Sequence, residues 1–340
     1  MGHDAARLEQ TVETLCTAQG RMVGTSGHDA ARRLLRRWCG ELGLSPYGDD
    51  LELSYETSAM RGTNVVGVRK GEDPSLPPLL LAAHYDSVIA APCADDNAAA
   101  VAILLSVAEA LGEHRVRRDV VFAFFDAEEP PYFQSESMGS IRFVHDQMDG
   151  RGVSLAVVLD LMGHDVQVDA LPLPFPVPGL KRLRDLFFVT GAESHTALQT
   201  VLREVALPRR LGLIATRNEN VGDLSDHHAF RLAGHAYLFF SCGRWQHYHM
   251  PSDTPDKLSY GKMARMASYL EALVLSLVDT DFDREPDSPC EVDTVAFEKE
   301  RLRASLGWRL PLLLRVTGLK RLESREDLDD LAARLQSLGI

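Results

Sequence analysis

Residues 79–111 read LLLAAHYDSVIAAPCADDNAAAVAILLSVAEAL, in which two apolar runs flank a polar loop. The run at 79–83 is short and continuous, which predicts a strand that is covered on both faces of a sheet. The run at 97–111 is rich in alanine and leucine and ends before Gly112, which predicts a helix. A buried strand followed by a loop and a helix is typical of an α/β fold whose ligands bind beyond the carboxyl ends of the strands.

Apolar runs of the same kind recur along the chain, and helical patterns separate them. Buried strands are predicted at 120–125, 155–159 and 236–240, and two antiparallel strands at 51–57 and 63–69. Further helices are predicted at 4–20, 28–42, 137–147, 195–206 and 260–278. Prolines at every second position over 172–178 predict a loop. The alternation predicts a three-layer α/β/α sandwich around one mixed, mainly parallel sheet.

The composition is that of an acidic globular protein. The 340 residues are 45% hydrophobic and 25% charged, and 36 Lys and Arg against 49 Asp and Glu give a net charge of -13. Since no basic stripe is present, we expect no nucleic-acid partner. No leader pattern and no membrane-length apolar run are visible, so we expect no membrane partner and a cytoplasmic location. The five cysteines are scattered without a CxxC motif, which predicts reduced thiols.

Acidic and histidine side chains follow the predicted buried strands. His84 and Asp86 follow the first, the Asp126 to Glu129 cluster follows the second, and Asp160 follows the third. The pair Asp95-Asp96 precedes the alanine-rich helix, and His249 follows the last strand. Because parallel strands end at one edge of a sheet, we expect these side chains to share a small volume.

Each of these clusters has a plainer explanation when it stands alone. Asp95-Asp96 could cap a helix, and Glu128-Glu129 could form a solvated turn before Pro130. Several carboxylates packed together without a cation, however, would raise one another's pKa values and cost stability. Imidazole with carboxylate, and no thiolate, suits zinc and less often cobalt or manganese. Taken together, the clusters therefore predict a divalent metal centre.

The ordered set of motifs resembles the zinc aminopeptidases of metallopeptidase clan MH, whose fold the glutaminyl cyclases share. The motifs span roughly residues 60–280 and are His84-x-Asp86, Pro92-x-Ala94-Asp95-Asp96-Asn97, Asp126-x-Glu128-Glu129, Leu159-Asp160-Leu161, Ser225-Asp226-His227 and Tyr248-His249-x-Pro251-Ser252-Asp253-Thr254. The resemblance implies a phosphorylase/hydrolase-like zinc exopeptidase fold. It also implies a hydrolase that removes N-terminal residues from short peptides or aminoacyl amides by a metal-activated water.

The resemblance further implies a ligand set. Asp96 would bridge two zinc ions, with His84 and Asp160 completing one site and Glu129 and His249 completing the other. Two such ions, about 3.5–4 Å apart, lower the pKa of water and polarise the scissile carbonyl.

Four more residues receive roles from the same resemblance. Glu128 would be the general base, and Asp86 would orient the imidazole of His84. Tyr248 aligns with a tyrosine that donates to the oxyanion, although an aromatic residue closing the core is an equal alternative. Asp226 would orient a ligand or substrate, or else cap a helix.

The sequence departs from the simplest aminopeptidases at three places, the first being Ala98-Ala99-Ala100, where the family usually shows Ser or Ala and then Gly after the asparagine. Cys93 stands where a glycine is common, and the nine residues 130–138 make a longer insertion, as in the glutaminyl cyclases. The alternatives to a peptidase are a cyclotransferase-like acyltransferase with one zinc, a general amidohydrolase and a metal-free scaffold. Two features favour the peptidase: the cyclases place a tryptophan at the position of Tyr248, and the run Pro251-Ser252-Asp253-Thr254 after His249 is typical of aminopeptidases. The retained acids and histidines argue against the metal-free scaffold.

A polar stretch begins near residue 282, and helical patterns resume after it. We predict a single zinc-peptidase catalytic domain over residues 1–282 and a helical C-terminal extension over residues 283–340. The apolar run from Trp308 to Leu314 in the extension is typical of a segment that covers a core edge or a subunit contact.

Overall fold

The computed structural model describes residues 3–167, 180–282 and 292–337, and a nine-stranded sheet organises them. The strands are β1 (Ser45–Pro46), β2 (Glu52–Glu56), β3 (Arg61–Arg69), β4 (Leu79–His84), β5 (Val120–Phe125), β6 (Leu155–Leu159), β7 (Leu186–Thr190), β8 (Gly212–Ala215) and β9 (Tyr237–Ser241). The sheet order is β1-β3-β5-β4-β6-β9-β7-β8, and β2 pairs with β3.

The four central strands run in one direction. β5, β4, β6 and β9 form parallel pairs, with Leu79 opposite both Val120 and Leu155. β3 is antiparallel to β5, and β7 is antiparallel to β9. The predicted mixed, mainly parallel sheet is therefore confirmed, and the parallel core brings the carboxyl ends of four strands to one edge.

Helices cover both faces of this sheet. They are α1 (Ala5–Leu15), α2 (Ser26–Glu41), α3 (Ala100–Ala110), α4 (Gly139–Arg142), α5 (Thr196–Glu204), α6 (Asn218–Val221), α7 (His227–Leu232), α8 (Tyr260–Leu277), α9 (Val295–Leu306), α10 (Leu310–Thr317) and α11 (Arg325–Ser337). α1, α3 and α8 pack together on one face, and α4 and α7 lie on the other. In the three described ranges, no helix has the length and apolar character of a membrane span.

The alternation of side chains along each central strand divides the core in two. Leu79 and Leu81 of β4 belong to the larger core, and Leu80 and Ala82 belong to the smaller one, where Phe143 also packs. Because both faces are covered, all six residues of β4 are buried, which explains its continuous apolar run.

Most predicted elements are present, with three corrections. The first helix ends at Leu15 and not at residue 20, because Cys16 is extended and Gly20 has a positive φ. The pattern at 137–147 forms α4 followed by a π turn. β7 and β8 are additional strands that were not predicted, although their short apolar runs are similar to those of the predicted strands. The proline loop predicted at 172–178 lies outside the described residues.

The C-terminal helices pack against the end of the sheet. α9 lies along β8, and its residues Phe297, Leu302 and Leu306 belong to the larger core. Leu328 and Leu331 of α11 join the same core. Trp308 is 61% exposed, whereas Leu310 is buried. Apart from Trp308, these apolar positions therefore cover a core edge.

We predict that Phe297→Ala lowers the free energy of unfolding by about 3–5 kcal/mol, because it removes a fully buried aromatic side chain. Trp308→Ala is the matched control and should change it by no more than about 0.5 kcal/mol, because that ring is largely exposed. Denaturant unfolding of both variants measures the difference. Equal stability of Phe297→Ala and the unsubstituted protein would show that the C-terminal helices are a loose appendage.

Candidate metal centre

The carboxyl ends of the central strands place acids and histidines at one edge of the sheet. His84 is the last residue of β4, and Asp160 directly follows β6. Glu128 and Glu129 follow β5, and His249 lies in the loop after β9. The first four of these residues are buried, and His249 is half-buried. These acids and histidines therefore lie together at one edge of the sheet, as the positions of the strand ends predicted.

Asp96 lies at the centre of this group. It belongs to the turn Ala94–Ala99, where Asp96 and Asn97 leave helical φ/ψ before α3 begins. One carboxylate oxygen, Oδ1, lies 3.3 Å from Nε2 of His84, and the other, Oδ2, lies 3.2 Å from Nε2 of His249. A single carboxylate thus faces two imidazoles through its two different oxygens.

The remaining acids divide between these two imidazoles. Nε2 of His84 lies 3.7 Å from Oδ1 of Asp160 and 3.7 Å from Oε2 of Glu128. Nε2 of His249 lies 3.2 Å from Oε2 of Glu129. The ligand-type atoms of His84, Glu128 and Asp160 lie within 4.8 Å of one another, as do those of His84, Asp96 and Glu129. The structure therefore brings all five residues proposed as metal ligands, and Glu128, into one cluster.

Asp86 contacts both His84 and the backbone of the adjacent residues Glu128 and Glu129. This fully buried carboxylate accepts hydrogen bonds from the backbone N–H of Glu128 (3.1 Å) and of Glu129 (3.0 Å). Its Oδ1 also lies 3.3 Å from Nδ1 of His84, on the ring edge opposite Asp96. Asp86 therefore fixes the backbone of both glutamates and faces the imidazole from behind, as its position two residues after His84 suggested.

Arg21 was not predicted, and it holds the loop that carries Asp96. Its side chain is 1% exposed, and its guanidinium donates to the backbone carbonyls of Tyr85 (2.8 Å), Cys93 (2.9 Å) and Asp96 (3.3 Å). The only signal in the sequence is an arginine between two helices. Since its partners are backbone atoms 64 to 75 residues away, no local pattern could have revealed this role.

Asp253, from the last motif, supports the same loop from the other side. Its carboxylate accepts hydrogen bonds from the backbone N–H of Asp95 (2.9 Å) and of Asp96 (3.2 Å). Burial, together with the charge of Asp95, raises the pKa of Asp253 to about 7. Arg21 thus binds backbone carbonyls of this loop, and Asp253 binds its backbone amides.

Two acids of the motifs point away from the cluster. Asp95 accepts from the backbone N–H of Gly163 (2.6 Å) and pairs with Nδ1 of His164 (2.6 Å), so the helix-cap explanation is wrong for it. Asp126 pairs with His28 (2.7 Å) and accepts from the backbone N–H of Thr63 (2.7 Å). Both carboxylates bind neighbouring loops and fix the walls of the site.

Asp226 is fully buried at the start of α7. Its side chain makes no capping hydrogen bond, so the helix-cap alternative is wrong. Both of its oxygens lack a hydrogen-bond partner among the residues that the structure describes. Burial raises the pKa of Asp226 to about 7, and the charges of Asp86 and Asp160 add to that effect, whereas His84 opposes it. Asp226 therefore adds a further carboxylate to the electrostatics of the cluster.

Tyr248 lies beside the cluster rather than in the core. Its ring stacks on the ring of His249 at 3.8 Å between centroids, and the guanidinium of Arg244 lies 5.1 Å from the Tyr248 centroid. Burial and the charges of Asp96 and Asp160 raise the pKa of its hydroxyl, which stays protonated and can donate at neutral pH.

Burial and mutual repulsion disfavour the ionised forms of the carboxylates in this cluster. Burial raises the pKa of Glu128 well above its ordinary value, that of Glu129 to about 8, and that of Asp160. The neighbouring carboxylates outweigh burial at His249 and raise its pKa to about 10. They also raise the pKa of His84. The two imidazoles in turn overcome the effect of burial on Asp96 and lower its pKa. A divalent cation at this position would favour the ionised carboxylates.

The residues present fit a metal ion of the zinc class. Within the described parts of the chain, several buried atoms that face the cluster have no hydrogen-bond partner: Nε2 of His84, Oε1 of Glu129, Oδ1 of Asp160 and Nε2 of His249. Buried polar atoms of this kind are costly unless something satisfies them. Imidazole nitrogen with carboxylate oxygen is a donor set that zinc prefers.

The chain matches a known family. Residues 64–274 match the profile of the family described as Peptidase family M28, which is more than half of the chain. YfbL of Escherichia coli (strain K12), a protein described as uncharacterized, is 30% identical over 216 residues. That match covers 56% of this chain and 64% of YfbL, so the chain spans less than two thirds of the length of this relative.

Solved structures confirm the fold class. BSAP, a zinc aminopeptidase from Bacillus subtilis, matches with a TM-score of 0.62 and 15% identity over 86% of this chain and 98% of that chain. A glutaminyl cyclase from Porphyromonas gingivalis matches with a TM-score of 0.64 and 16% identity over 81% of this chain and 99% of that chain. Aminopeptidases and glutaminyl cyclases therefore both occur on folds similar to this one.

We predict that zinc binding to the metal-free protein releases protons, at least about one for each ion bound. The pKa of His249 is raised to about 10 and that of Glu129 to about 8, so both ligands hold protons at pH 7 that a metal must displace, and the pKa of His84 is raised in the same direction. Affinity should therefore rise with pH. Calorimetric titration in buffers with different protonation enthalpies measures the release, and His249→Ala should release fewer protons. Binding heats that do not depend on the buffer would contradict this electrostatic account.

Proposed function

This chain belongs to peptidase family M28, and from that premise we propose a zinc aminopeptidase that releases the N-terminal residue of short peptides or aminoacyl amides. One observation carries the proposal: the two oxygens of Asp96 face two imidazoles, each with its own acidic partner. This arrangement fits two metal ions better than one, because each carboxylate oxygen of Asp96 could bind a separate ion.

In this proposal, Asp96 would contribute to both metal sites. His84 and Asp160 would complete one site, and Glu129 and His249 would complete the other. When bound, the zinc ions lower the pKa of water and polarise the scissile carbonyl. The remaining chemistry is assigned to side chains of this chain that face the same volume.

Glu128 is proposed as the general base. Its carboxylate lies at the cluster, and Asp86 fixes its backbone N–H at 3.1 Å, so its position is preorganised. During hydrolysis Glu128 takes a proton from the attacking water as the new carbon–oxygen bond forms. It then gives that proton to the leaving amine as the carbon–nitrogen bond breaks.

Asp86 and Tyr248 are proposed to assist. Asp86 orients the imidazole of His84 from the ring edge opposite Asp96, which keeps the ligating nitrogen directed at the cluster. The protonated hydroxyl of Tyr248 donates to the oxygen of the scissile carbonyl as negative charge develops on it.

The insertion at residues 130–138 is proposed to limit substrate size. It begins directly after Glu129, and contacts to β2 and to the loop before α7 hold it. The side-chain amide of Gln134 donates to the backbone carbonyl of Asp223 (2.8 Å). The hydroxyl of Tyr55 donates to the backbone carbonyl of Ser137 (3.0 Å). A fixed wall beside the general base admits short peptides and excludes folded proteins.

Incubation of the zinc-loaded protein with short peptides, followed by mass spectrometry, tests this function. The set includes free-amine peptides, the same peptides with an acetylated N terminus, and peptides that begin with glutamine. We predict loss of the first residue from the free-amine peptides only. Loss of ammonia from the glutamine peptides without cleavage would instead identify a cyclase. Cleavage of the acetylated peptides would identify a general amidohydrolase.

Substitutions of the adjacent glutamates separate the base from the ligand. Glu128→Gln keeps the shape of the side chain but cannot accept a proton, so turnover should fall by roughly two to four orders of magnitude. Its metal content should hardly change. Glu129→Gln should lose one zinc ion, because a ligand is weakened. Elemental analysis and turnover measure both effects, and identical behaviour of the two variants would refute the assignment.

A further inference from the structure

The guanidinium of Arg21 joins two stretches of backbone that carry metal-ligand candidates. One acceptor is the carbonyl of Tyr85, which directly follows His84. The other acceptors lie in the loop that leads to Asp96, and they are the carbonyls of Pro92 (2.8 Å), Cys93 (2.9 Å) and Asp96 itself (3.3 Å). Because Nε, Nη1 and Nη2 all donate, the planar guanidinium fixes one stretch of backbone relative to the other.

The backbone of Arg21 is also held against this loop. Its N–H donates to the hydroxyl of Ser87 (2.7 Å), and its carbonyl accepts from the N–H of Ser87 (3.2 Å). The preceding residue, Gly20, has a φ of 65°, and a Cβ there would lie 2.5 Å from the carbonyl oxygen of Ile89. Glycine permits this close approach because it has no Cβ. The segment around Arg21 therefore packs directly on the backbone between His84 and Asp96.

The buried charge of Arg21 is balanced by carbonyl groups. Its side chain is 1% exposed, and it forms no ion pair with any residue that the structure describes. A buried charge is costly unless it is hydrogen-bonded, and a buried carbonyl without a donor is costly as well. Loss of the guanidinium would leave the carbonyls of Tyr85 and Asp96 without this donor, so the backbone at both positions would shift.

The two proposed metal sites depend on Arg21 to different extents. The first site comprises His84, Asp96 and Asp160, and Arg21 binds the backbone at Asp96 and directly after His84. The second site shares Asp96, but its other ligands follow β5 and β9. Within the described ranges, no hydrogen bond of Arg21 reaches those two ligands. The geometry of the first site is therefore the more sensitive to Arg21.

We propose that Arg21 is a positioning residue of the metal centre and sets the zinc affinity of the site formed by His84, Asp96 and Asp160. The inference rests on the proposed function, which supplies the assignment of two metal sites. Arg21 lies in the connection between α1 and α2, outside residues 64–274 that match the family. The N-terminal segment is therefore part of the metal centre, although it contributes no ligand.

Arg21→Lys tests the proposal, because lysine keeps the charge but replaces the planar guanidinium with a single ammonium group. Arg118→Lys is the matched control. Arg118 is 3% exposed and donates to the backbone carbonyls of Val278 (3.0 Å) and Thr280 (2.7 Å). It lies just before β5, at the edge of the sheet opposite to the metal cluster. The measured quantity is the zinc affinity of the metal-free protein, in competition with a chromophoric chelator.

The unsubstituted protein should bind two zinc ions per chain. Arg21→Lys should lower the affinity for one ion by about 10–100-fold and that for the other by less than about threefold. Arg118→Lys should change both affinities by less than about twofold, because sites so far apart act independently. Denaturant unfolding of both metal-free variants is measured alongside, so that a general loss of stability is recognised.

Two single-site backgrounds identify the affected ion. His249→Ala removes a ligand of the second site, and in that background Arg21→Lys should still lower the remaining affinity by about 10–100-fold. Asp160→Ala removes a ligand of the first site, and in that background Arg21→Lys should lower the remaining affinity by less than about threefold. Neither measurement depends on a substrate or on turnover.

Ser87→Ala gives a second measurement if Arg21→Lys does not fold, because it removes only the hydroxyl that accepts from the N–H of Arg21. It should show the same selectivity between the two sites with a smaller loss, of about threefold or more at the first site.

Three results would overturn the proposal: unchanged zinc affinity in the variants at Arg21 and Ser87, an equal loss of affinity in Arg118→Lys, or equal losses in the two single-site backgrounds. Binding of fewer than two zinc ions by the unsubstituted protein would overturn the proposed two-metal function and this inference with it. The failure of the positioning role and the failure of the proposed function are thereby distinguished.

Discussion

The mutual repulsion of buried carboxylates around one aspartate is the constraint on which the rest of the structure depends. Asp96, Glu128, Glu129 and Asp160 lie within a few ångströms of the same two imidazoles, and burial raises the pKa of three of them. Such a cluster is costly by itself and favourable around divalent cations. The surrounding fold serves to hold these acids together in spite of their repulsion.

Parallel strands bring the acids to one edge, and buried polar groups then fix each loop. Arg21 and Asp253 bind the carbonyls and amides of the loop that carries Asp96, and Asp86 binds the amides of the glutamate pair. The backbone is therefore positioned before any ligand arrives, which is what a precise metal geometry requires. Leu302 of α9 and Leu331 of α11 line an apolar cavity of about 480 Å³ that Asp160 and Tyr248 also line.

The sequence reveals the part of this arrangement that depends on local pattern. His84 and Asp160 could be located because each directly follows a continuous apolar run, and parallel strand ends must converge. Arg21 could not, because its partners are backbone carbonyls distant in the sequence. The position of α11 was also not predicted, since it depends on how that helix packs against α6, an element distant in the sequence.

The crystal structure of the zinc-loaded protein, with anomalous scattering recorded at the zinc absorption edge, tests the central claim most directly. The shared-aspartate account predicts two anomalous peaks about 3.5–4 Å apart. One peak should lie next to Asp96 and His84, and the other next to Asp96 and His249. A single peak, or two peaks of which only one contacts Asp96, would contradict the account.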